Sequence, residues 1–171
     1  MRNIFLIGPR ASGKTSLGKL LARHLDLPFS DTDDLVVAQA GQTIAQMVEE
    51  RGWDAFRQLE HDVLARVCGQ DGQVVAMGGG MVLRPDNREL LKTHGRVLYL
   101  TTDAATLLSR LAAEPLPGQR PALTDKDAET EMRQILLERE PLYRECADHV
   151  IDSSLPLEKM AASALAALES L

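Results

Sequence analysis

The stretch GPRASGKT, residues 8–15, has the residue types and spacing of a loop that binds nucleotide phosphates. Gly8 and Gly13 allow the backbone to turn its N–H groups toward phosphate oxygens. Lys14 can reach the β- and γ-phosphates, and the hydroxyl of Thr15 can ligate Mg²⁺. An apolar run before the loop and an amphipathic segment after it supply the strand and helix that the motif needs. The sequence therefore predicts an ATP site formed by Gly8, Ala11, Ser12, Gly13, Lys14, Thr15 and Ser16.

One residue of this loop departs from the commonest pattern. Ala11 stands where a third glycine is common, and its methyl group is tolerated if its φ angle is negative. The alternative to a phosphate loop is a glycine turn that carries a surface lysine and binds nothing.

Two carboxylates follow the second apolar run, in the stretch FSDTDD. Side chains alternate along an extended segment, so Asp31 and Asp33 should project to the same side at the carboxyl end of a strand. One carboxylate could hold Mg²⁺, and the other could accept a proton from an attacking hydroxyl. The third apolar run, VVAMGGG, ends without an aspartate, so the Mg²⁺ ligand is assigned to Asp31. These residues could instead only cap the next helix, and capping could coexist with function.

Three consecutive glycines and two arginines indicate the chemistry of the acceptor. Residues 78–80 leave bare backbone to which a flat ligand could hydrogen-bond, although a plain turn is the alternative. Arg57 and Glu60 share one face of a helix, so the glutamate can orient the guanidinium. Arg139 and Tyr143 lie one turn apart in the same way. Each arginine could form a surface ion pair, but together they indicate a small acceptor with a carboxylate and hydroxyl groups.

Short apolar runs alternate with segments of helical period, which predicts βα units, a parallel sheet and an α/β fold. The predicted strands are residues 3–7, 29–30, 74–77, 97–100 and 149–151. The predicted helices are residues 14–24, 33–40, 44–51, 53–68, 85–92, 104–113, 127–146 and 156–170. The helices between strands two and three predict an inserted substrate-binding subregion at about 33–61. The proline-containing loop at about 114–125 predicts a mobile lid.

The composition excludes several classes of protein. A chain of 171 residues, 44% of them hydrophobic, predicts one domain over residues 1–171 with a core that needs no metal or disulfide. The net charge is −6 and no basic stripe occurs, so we expect no nucleic-acid partner. We see no signal peptide and no membrane span, which predicts a cytoplasmic protein without a membrane partner. Cys68 and Cys146 lack CxxC spacing, which favours reduced, buried thiols over a disulfide or a nucleophile.

Taken in order, these motifs resemble those of the shikimate kinases over nearly the whole chain. The stretches FLIGPR, FRQLE and REPLYRE are most similar to the second bacterial isoform type. The resemblance implies a P-loop kinase fold, with a five-stranded parallel sheet of order 2-3-1-4-5 flanked by helices. It also implies transfer of the γ-phosphoryl group of ATP to the 3-hydroxyl of shikimate, with Mg²⁺, in the pathway to aromatic amino acids. We expect the enzyme to be a monomer.

The resemblance further implies a role for individual residues of this sequence. The implied catalytic residues are Lys14, Asp33 and Arg120, of which Lys14 and Arg120 would contact the transferring phosphate. The implied shikimate-binding residues are Asp33, Arg57, Gly79, Gly80 and Arg139. The implied Mg²⁺ ligands are Thr15 and Asp31. Arg120 in the lid would also contact ATP, and the residues flanking the adenine would be Arg110 and Pro156.

Two other functions are compatible with a phosphate loop alone. Another small-metabolite or nucleoside monophosphate kinase would need a pocket that reads a base, whereas the arginines and the glycine floor fit a compact carboxylate. A nucleotide-gated binding module without transfer chemistry belongs to a different class of protein. The intact set of Lys14, Thr15, Asp31 and Asp33 argues against that module.

Overall fold

A computed structural model describes residues 2–113 and 127–170, and a sheet of five parallel strands forms its centre. The strands are β1 (Asn3–Ile7), β2 (Phe29–Asp31), β3 (Val74–Ala76), β4 (Gly95–Thr101) and β5 (His149–Asp152). Their order is β2-β3-β1-β4-β5, and each neighbouring pair is parallel. The predicted fold class and strand order are confirmed. The predicted strand bounds differ from the observed ones by at most two residues.

Helices flank the sheet in the predicted sequence positions. They are α1 (Lys14–Leu25), α2 (Thr32–Ala40), α3 (Ile44–Cys68), α4 (Pro85–His94), α5 (Ala104–Ala113), α6 (Ala128–Cys146) and α7 (Leu157–Glu169). The predicted helices 44–51 and 53–68 join into α3, which is interrupted at Gly52 by non-helical angles of φ 81° and ψ 171°. A short 3-10 helix, Met81–Leu83, follows the three glycines and was not predicted. Three residues are too few to show a helical period.

The central strands are buried on both faces, and alternate residues pack into two separate hydrophobic clusters. From β1, Phe5 and Ile7 join a cluster on the side of α3, α4 and α6. Its neighbours Ile4 and Leu6 join a cluster on the side of α1 and α7. Continuous apolar strands are therefore required, which is why the sequence shows unbroken runs rather than alternation.

The carboxyl ends of β1, β2 and β3 meet at one edge of the sheet, because the three strands are parallel. Ala76 of β3 pairs with Leu6 of β1 and with Asp31 of β2. The loop that follows each strand therefore leaves the sheet at the same level. In α/β sheets, ligands bind at this edge.

Both cysteines are buried and free, as predicted. Cys68 and Cys146 belong to the core cluster on the α3 side. Burial raises the pKa of each thiol to about 11, so both stay protonated at neutral pH and are poor nucleophiles. Within residues 2–113 and 127–170, no helix is both long enough and apolar enough to cross a membrane.

We expect the substitution Gly95→Ala to destabilise the sheet. A Cβ atom at Gly95 would lie 2.7 Å from the Asn3 carbonyl oxygen and would also overlap the ring of Phe5. Both neighbours are fully buried, so they cannot move away cheaply. The free energy of unfolding should fall by about 1–3 kcal/mol, measured by chemical denaturation.

The control for this prediction is Gly41, where a Cβ atom would meet no described atom within 4 Å but φ is 68°. Gly41→Ala should cost about 1–2 kcal/mol through backbone strain alone, and Gly41→Asn should recover part of that loss. A Gly95→Ala protein with the wild-type denaturation midpoint would contradict the steric interpretation.

Candidate active site

The phosphate loop connects β1 to α1 and turns tightly. Gly8 has a φ of 147°, and a Cβ atom there would lie 2.6 Å from the carbonyl oxygen of Leu100. The Lys14 ammonium donates hydrogen bonds to the carbonyl oxygens of Gly8, at 3.0 Å, and of Pro9, at 2.7 Å. The loop therefore surrounds the Lys14 ammonium, which lies at the N-terminal, positive end of the α1 dipole. Such a site favours anions.

Ala11 has a φ of 64°, so the condition that this angle be negative is not met. The left-handed conformation costs a non-glycine residue about 1–2 kcal/mol and persists where the surroundings fix it. One Arg110 nitrogen, Nη1, donates to the Ala11 carbonyl oxygen at 3.2 Å. The Ala11 methyl group packs against the cluster of Ala104, Leu107 and Met132. These contacts hold the strained turn.

Asp31 links the phosphate loop to α2. Its Oδ2 accepts a hydrogen bond from the Thr15 hydroxyl at 2.9 Å. Its Oδ1 accepts one from the Asp33 backbone N–H at 2.9 Å, so Asp31 is the N-cap of α2. Burial and the nearby Asp33 carboxylate raise the pKa of Asp31. The alternative that Asp31 caps the helix is confirmed, and Asp31 makes this cap while it also accepts the hydrogen bond from Thr15.

The alternation argument for the two aspartates is wrong, because α2 already begins at Thr32. Asp33 therefore lies in the first turn of a helix and not on an extended segment. The two carboxylates are nonetheless close enough for Asp33 to affect the Asp31 pKa. Asp33 is close to Asp31 because Asp31 is the N-cap of α2 and Asp33 lies in the first turn of the same helix.

The Thr15 hydroxyl and the Asp31 carboxylate fit Mg²⁺, which prefers hard oxygen ligands. The described residues contain no group of three or more His, Cys, Asp or Glu side chains that could hold a metal ion. That finding agrees with Mg²⁺ chemistry, since this ion usually takes one or two protein ligands and completes its shell with phosphates and water.

The three glycines lie between the phosphate loop and Arg57. A Cβ atom at Gly79 would lie 3.5 Å from the Gly8 carbonyl oxygen and from the backbone nitrogen of Arg10. A Cβ atom at Gly80 would overlap the guanidinium of Arg57. The segment does turn the chain into the 3-10 helix, and at Gly80 it also lets the Arg57 guanidinium approach the backbone closely, whereas the contacts at Gly79 are of ordinary van der Waals length.

Arg57 is held from three directions. Its guanidinium pairs with Glu60, whose side chain is almost completely buried. It also lies over the rings of Trp53 and Phe56, 5.5 Å and 5.2 Å from their centroids. The predicted pairing with Glu60 is confirmed. The aromatic contacts were missed, although the spacing of Trp53 and Arg57, four residues apart on one helix, is a usable signal.

Arg57 and Arg139 line one open cavity of about 310 Å³. Arg139 is only 8% exposed, so it is not a surface ion pair. The other lining residues, which the sequence did not suggest, are Trp53, Leu83, Glu131, Gln134, Ile135 and Glu138. Asp33 is not among the described residues that line the cavity. It lies beside Asp31, in the first turn of α2.

The two residues predicted to flank the adenine are Arg110 in α5 and Pro156, which directly precedes α7. Arg110 donates through Nη2 to the Ser153 carbonyl oxygen at 2.5 Å, and Pro156 is the N-cap residue of α7. Ser12 is buried, whereas Thr15 and Ser16 are exposed at the start of α1. Arg120 and the predicted lid at about 114–125 lie outside the described residues.

Comparison with known proteins gives one consistent result. The sequence model described as "Shikimate kinase" matches residues 10–169. A shikimate kinase of Oleidesulfovibrio alaskensis is 47% identical over 165 residues, which is 96% of each chain. Shikimate kinase 2 of Enterobacter sp. (strain 638) is 46% identical, over 96% of this chain and 94% of that one. The structure of an Acinetobacter baumannii shikimate kinase in complex with shikimate has a TM-score of 0.93 at 34% identity, covering 99% and 94% of the two chains.

We expect Asp31→Asn to leave the protein at least as stable as the wild type without Mg²⁺. Asparagine caps a helix as well as aspartate does, and it carries no charge for burial and Asp33 to disfavour. Asp31→Ala loses the cap and should cost about 0.5–2 kcal/mol. Urea denaturation at pH 7 in EDTA measures both effects.

The pH dependence gives a second check on Asp31. Its pKa is raised on folding, so the folded protein binds this proton more tightly than the unfolded chain. The charge therefore destabilises the fold above the raised pKa, and the effect disappears below the usual 3.8. Any advantage of Asp31→Asn should shrink as the pH falls from 7 toward 4. An Asn variant as unstable as the Ala variant would show that the charge is stabilising.

Proposed function

The chain belongs to the shikimate kinase family, and from that premise we propose how its residues divide the work of the reaction. The enzyme is an ATP-dependent kinase that transfers the γ-phosphoryl group of ATP to the 3-hydroxyl of shikimate. The products are shikimate 3-phosphate and ADP, in the route to chorismate and the aromatic amino acids.

One observation carries the proposed arrangement: the glycine segment contacts both the phosphate loop and Arg57. Gly79 faces the carbonyl oxygen of Gly8, and Gly80 faces the Arg57 guanidinium. A small molecule whose carboxylate pairs with Arg57, and which lies along the glycines, would extend toward the phosphates. The two arginines and the glycine backbone suit a compact carboxylate, whereas a nucleoside monophosphate would need a pocket that reads its base.

ATP binds at the phosphate loop in this proposal. The backbone N–H groups of the loop and of the first turn of α1, including those of Ser12 and Ser16, donate to phosphate oxygens. Lys14 exchanges its carbonyl partners for the β- and γ-phosphates, because a charged acceptor forms the stronger hydrogen bond. The adenine lies between Arg110 and Pro156. Arg110 suits this place because it already joins the Ala11 and Ser153 carbonyl oxygens.

Thr15 and Asp31 hold the Mg²⁺ ion that accompanies ATP. When bound, the ion supplies positive charge that offsets the negative charge of the β- and γ-phosphates. The hydrogen bond between the two side chains brings a hydroxyl and a carboxylate oxygen within 2.9 Å of each other before any ligand binds. Arg120 remains a prediction from the family resemblance, as a contact of the transferring phosphate.

Shikimate binds between the two arginines and the glycine backbone. Arg57 and Arg139 pair with its carboxylate, and the peptide groups of Gly79 and Gly80 contact its ring. Asp33 accepts hydrogen bonds from its hydroxyl groups and takes the proton of the 3-hydroxyl. The freed oxygen electron pair forms a bond to the γ-phosphorus while the bond to the β-phosphate oxygen breaks, and ADP leaves.

We also propose a monomeric, cytoplasmic enzyme with one domain over residues 1–171. Residues of about 33–61 would form its substrate-binding subregion and about 114–125 its lid. The net charge of −6 supports the absence of a nucleic-acid partner.

The two aspartates should respond differently to substitution. Asp33→Asn removes the proton acceptor and should lower kcat by about 10²–10⁴ at every Mg²⁺ concentration. Asp31→Asn weakens Mg²⁺ binding and should be partly rescued by excess Mg²⁺. Steady-state rates over a Mg²⁺ titration measure both effects. Identical titration curves for the two variants would contradict this division.

The arginines should control the KM for shikimate and not that for ATP. Arg57→Lys keeps the charge but loses the forked geometry, so the shikimate KM should rise about tenfold or more. The ATP KM should change less than twofold. Arg133→Lys is the matched control, because Arg133 pairs with Glu129 on the surface of the same domain, with 66% of its side chain exposed.

The acceptor itself gives the complementary test. The wild-type enzyme should phosphorylate shikimate far more efficiently than its methyl ester, since the ester presents no charge to Arg57 and Arg139. Release of ADP measures both reactions. Equal efficiency with the ester would remove the proposed role of the two arginines.

A further inference from the structure

We propose that two buried hydroxyl groups, those of Thr32 and Tyr143, are positioning groups that fix the glycine segment on which shikimate rests. This inference depends on the proposed place of shikimate along Gly79 and Gly80. It assigns to Thr32 and Tyr143 a role in the reaction, although neither residue touches a reacting atom.

Tyr143 holds the segment from the side of α6. Its hydroxyl donates a hydrogen bond to the Gly79 carbonyl oxygen at 2.6 Å, and the residue is fully buried. Its ring stacks on that of Tyr99 in β4, with the centroids 5.0 Å apart. The ring is therefore fixed by packing, and its hydroxyl determines the position of the Gly79 peptide group.

Thr32 holds the same segment from the side of α2. Its Oγ1 accepts a hydrogen bond from the Gly78 N–H at 2.8 Å, and the residue is fully buried. Thr32 stands between the two aspartates of the site. A shift of the glycines relative to Thr32 would therefore also be a shift relative to Asp31 and Asp33.

The segment needs such support because glycine has the least restricted backbone of all residues. No side chain of residues 78–80 can pack to hold them in place. The two hydroxyl groups bond to consecutive residues, one to an N–H and the other to a C=O. Thr32 lies on the same helix as Asp33, and Tyr143 lies on the same helix as Arg139. The two hydrogen bonds therefore fix the glycines relative to the groups proposed to bind the hydroxyl groups and the carboxylate of the acceptor.

Tyr143→Phe is the direct test, since it keeps the ring and its stacking but leaves the Gly79 carbonyl oxygen without this partner. The KM for shikimate should rise about five- to tenfold, while the KM for ATP changes less than twofold. Tyr99→Phe is the matched control. It removes a hydroxyl from the other ring of the stacked pair, which is equally buried but has its hydrogen bond with Thr101.

Thr32 provides an independent arm of the experiment. Thr32→Val keeps the shape and removes the acceptor, so it should raise the shikimate KM by a similar factor. Thr32→Ser restores a hydroxyl and should return the KM to within about twofold of the wild type. A purely structural role would lower the melting temperature of both Thr32 variants and of Tyr143→Phe without this split between substrates.

The outcomes separate this inference from the function on which it rests. If the wild-type enzyme fails to phosphorylate shikimate, the function itself is wrong. If it does so and Tyr143→Phe has a shikimate KM within twofold of wild type, the positioning role is wrong. An equal rise in Tyr99→Phe, or a Thr32→Ser variant no better than Thr32→Val, would also overturn it.

Discussion

The pairing of β3 with β1 on one side and β2 on the other determines how the phosphate loop, the start of α2 and the glycine segment lie relative to one another. Leu6, Ala76 and Asp31 form one row across these strands. From this row the chain leaves the sheet three times, into the phosphate loop, the start of α2 and the glycine segment. Adjacent strands are about 4.8 Å apart. In the proposed arrangement, the main-chain hydrogen bonds of the sheet thus bring the donor and the acceptor of the phosphoryl group together.

The cavity that Arg57 and Arg139 line contains a guanidinium, that of Arg57, whose neighbours hold it in place before any ligand binds. Arg57 pairs with buried Glu60 and lies over two aromatic rings. A long side chain that is already immobile loses little rotamer entropy when an anion arrives, so more of the ion-pairing energy contributes to affinity. Arg139, which is nearly buried on α6, meets the same condition by packing. In the proposed binding mode, recognition of a carboxylate therefore depends on the rigidity of the two arginines as well as on their charge.

The sequence predicted those parts of the site that short spacings control. The phosphate loop follows from its motif, and the pairing of Arg57 with Glu60 follows from their helical spacing. The sign of φ at Ala11 could not be predicted, because it depends on Arg110 and on a cluster from α5 and α6. The alternation argument failed because α2 begins one residue earlier than the sequence pattern indicates, at Thr32 and not at Asp33.

Contacts between distant segments were the least predictable. The hydrogen bond from Tyr143 to Gly79 joins residues 64 positions apart, and neither position carries a local signal of it. The same is true of the cavity residues of α6. Their helical spacing shows that they share a face, but only the packed structure shows that this face meets Arg57. Strand order was predictable because the resemblance covered the whole chain.

The interruption of α3 at Gly52 divides this helix into two segments that need not share an axis. Residues 44–51 have their own N-terminal capping box, formed by Thr43 and Gln46, and their axis ends at the non-helical Gly52. Ile44 and Met47 of this first segment are buried in the same core cluster as Phe56 of the second, so both segments pack against one core on either side of the break. The break at Gly52 therefore allows the second segment, which carries Arg57 and Glu60, to take its own direction across the core.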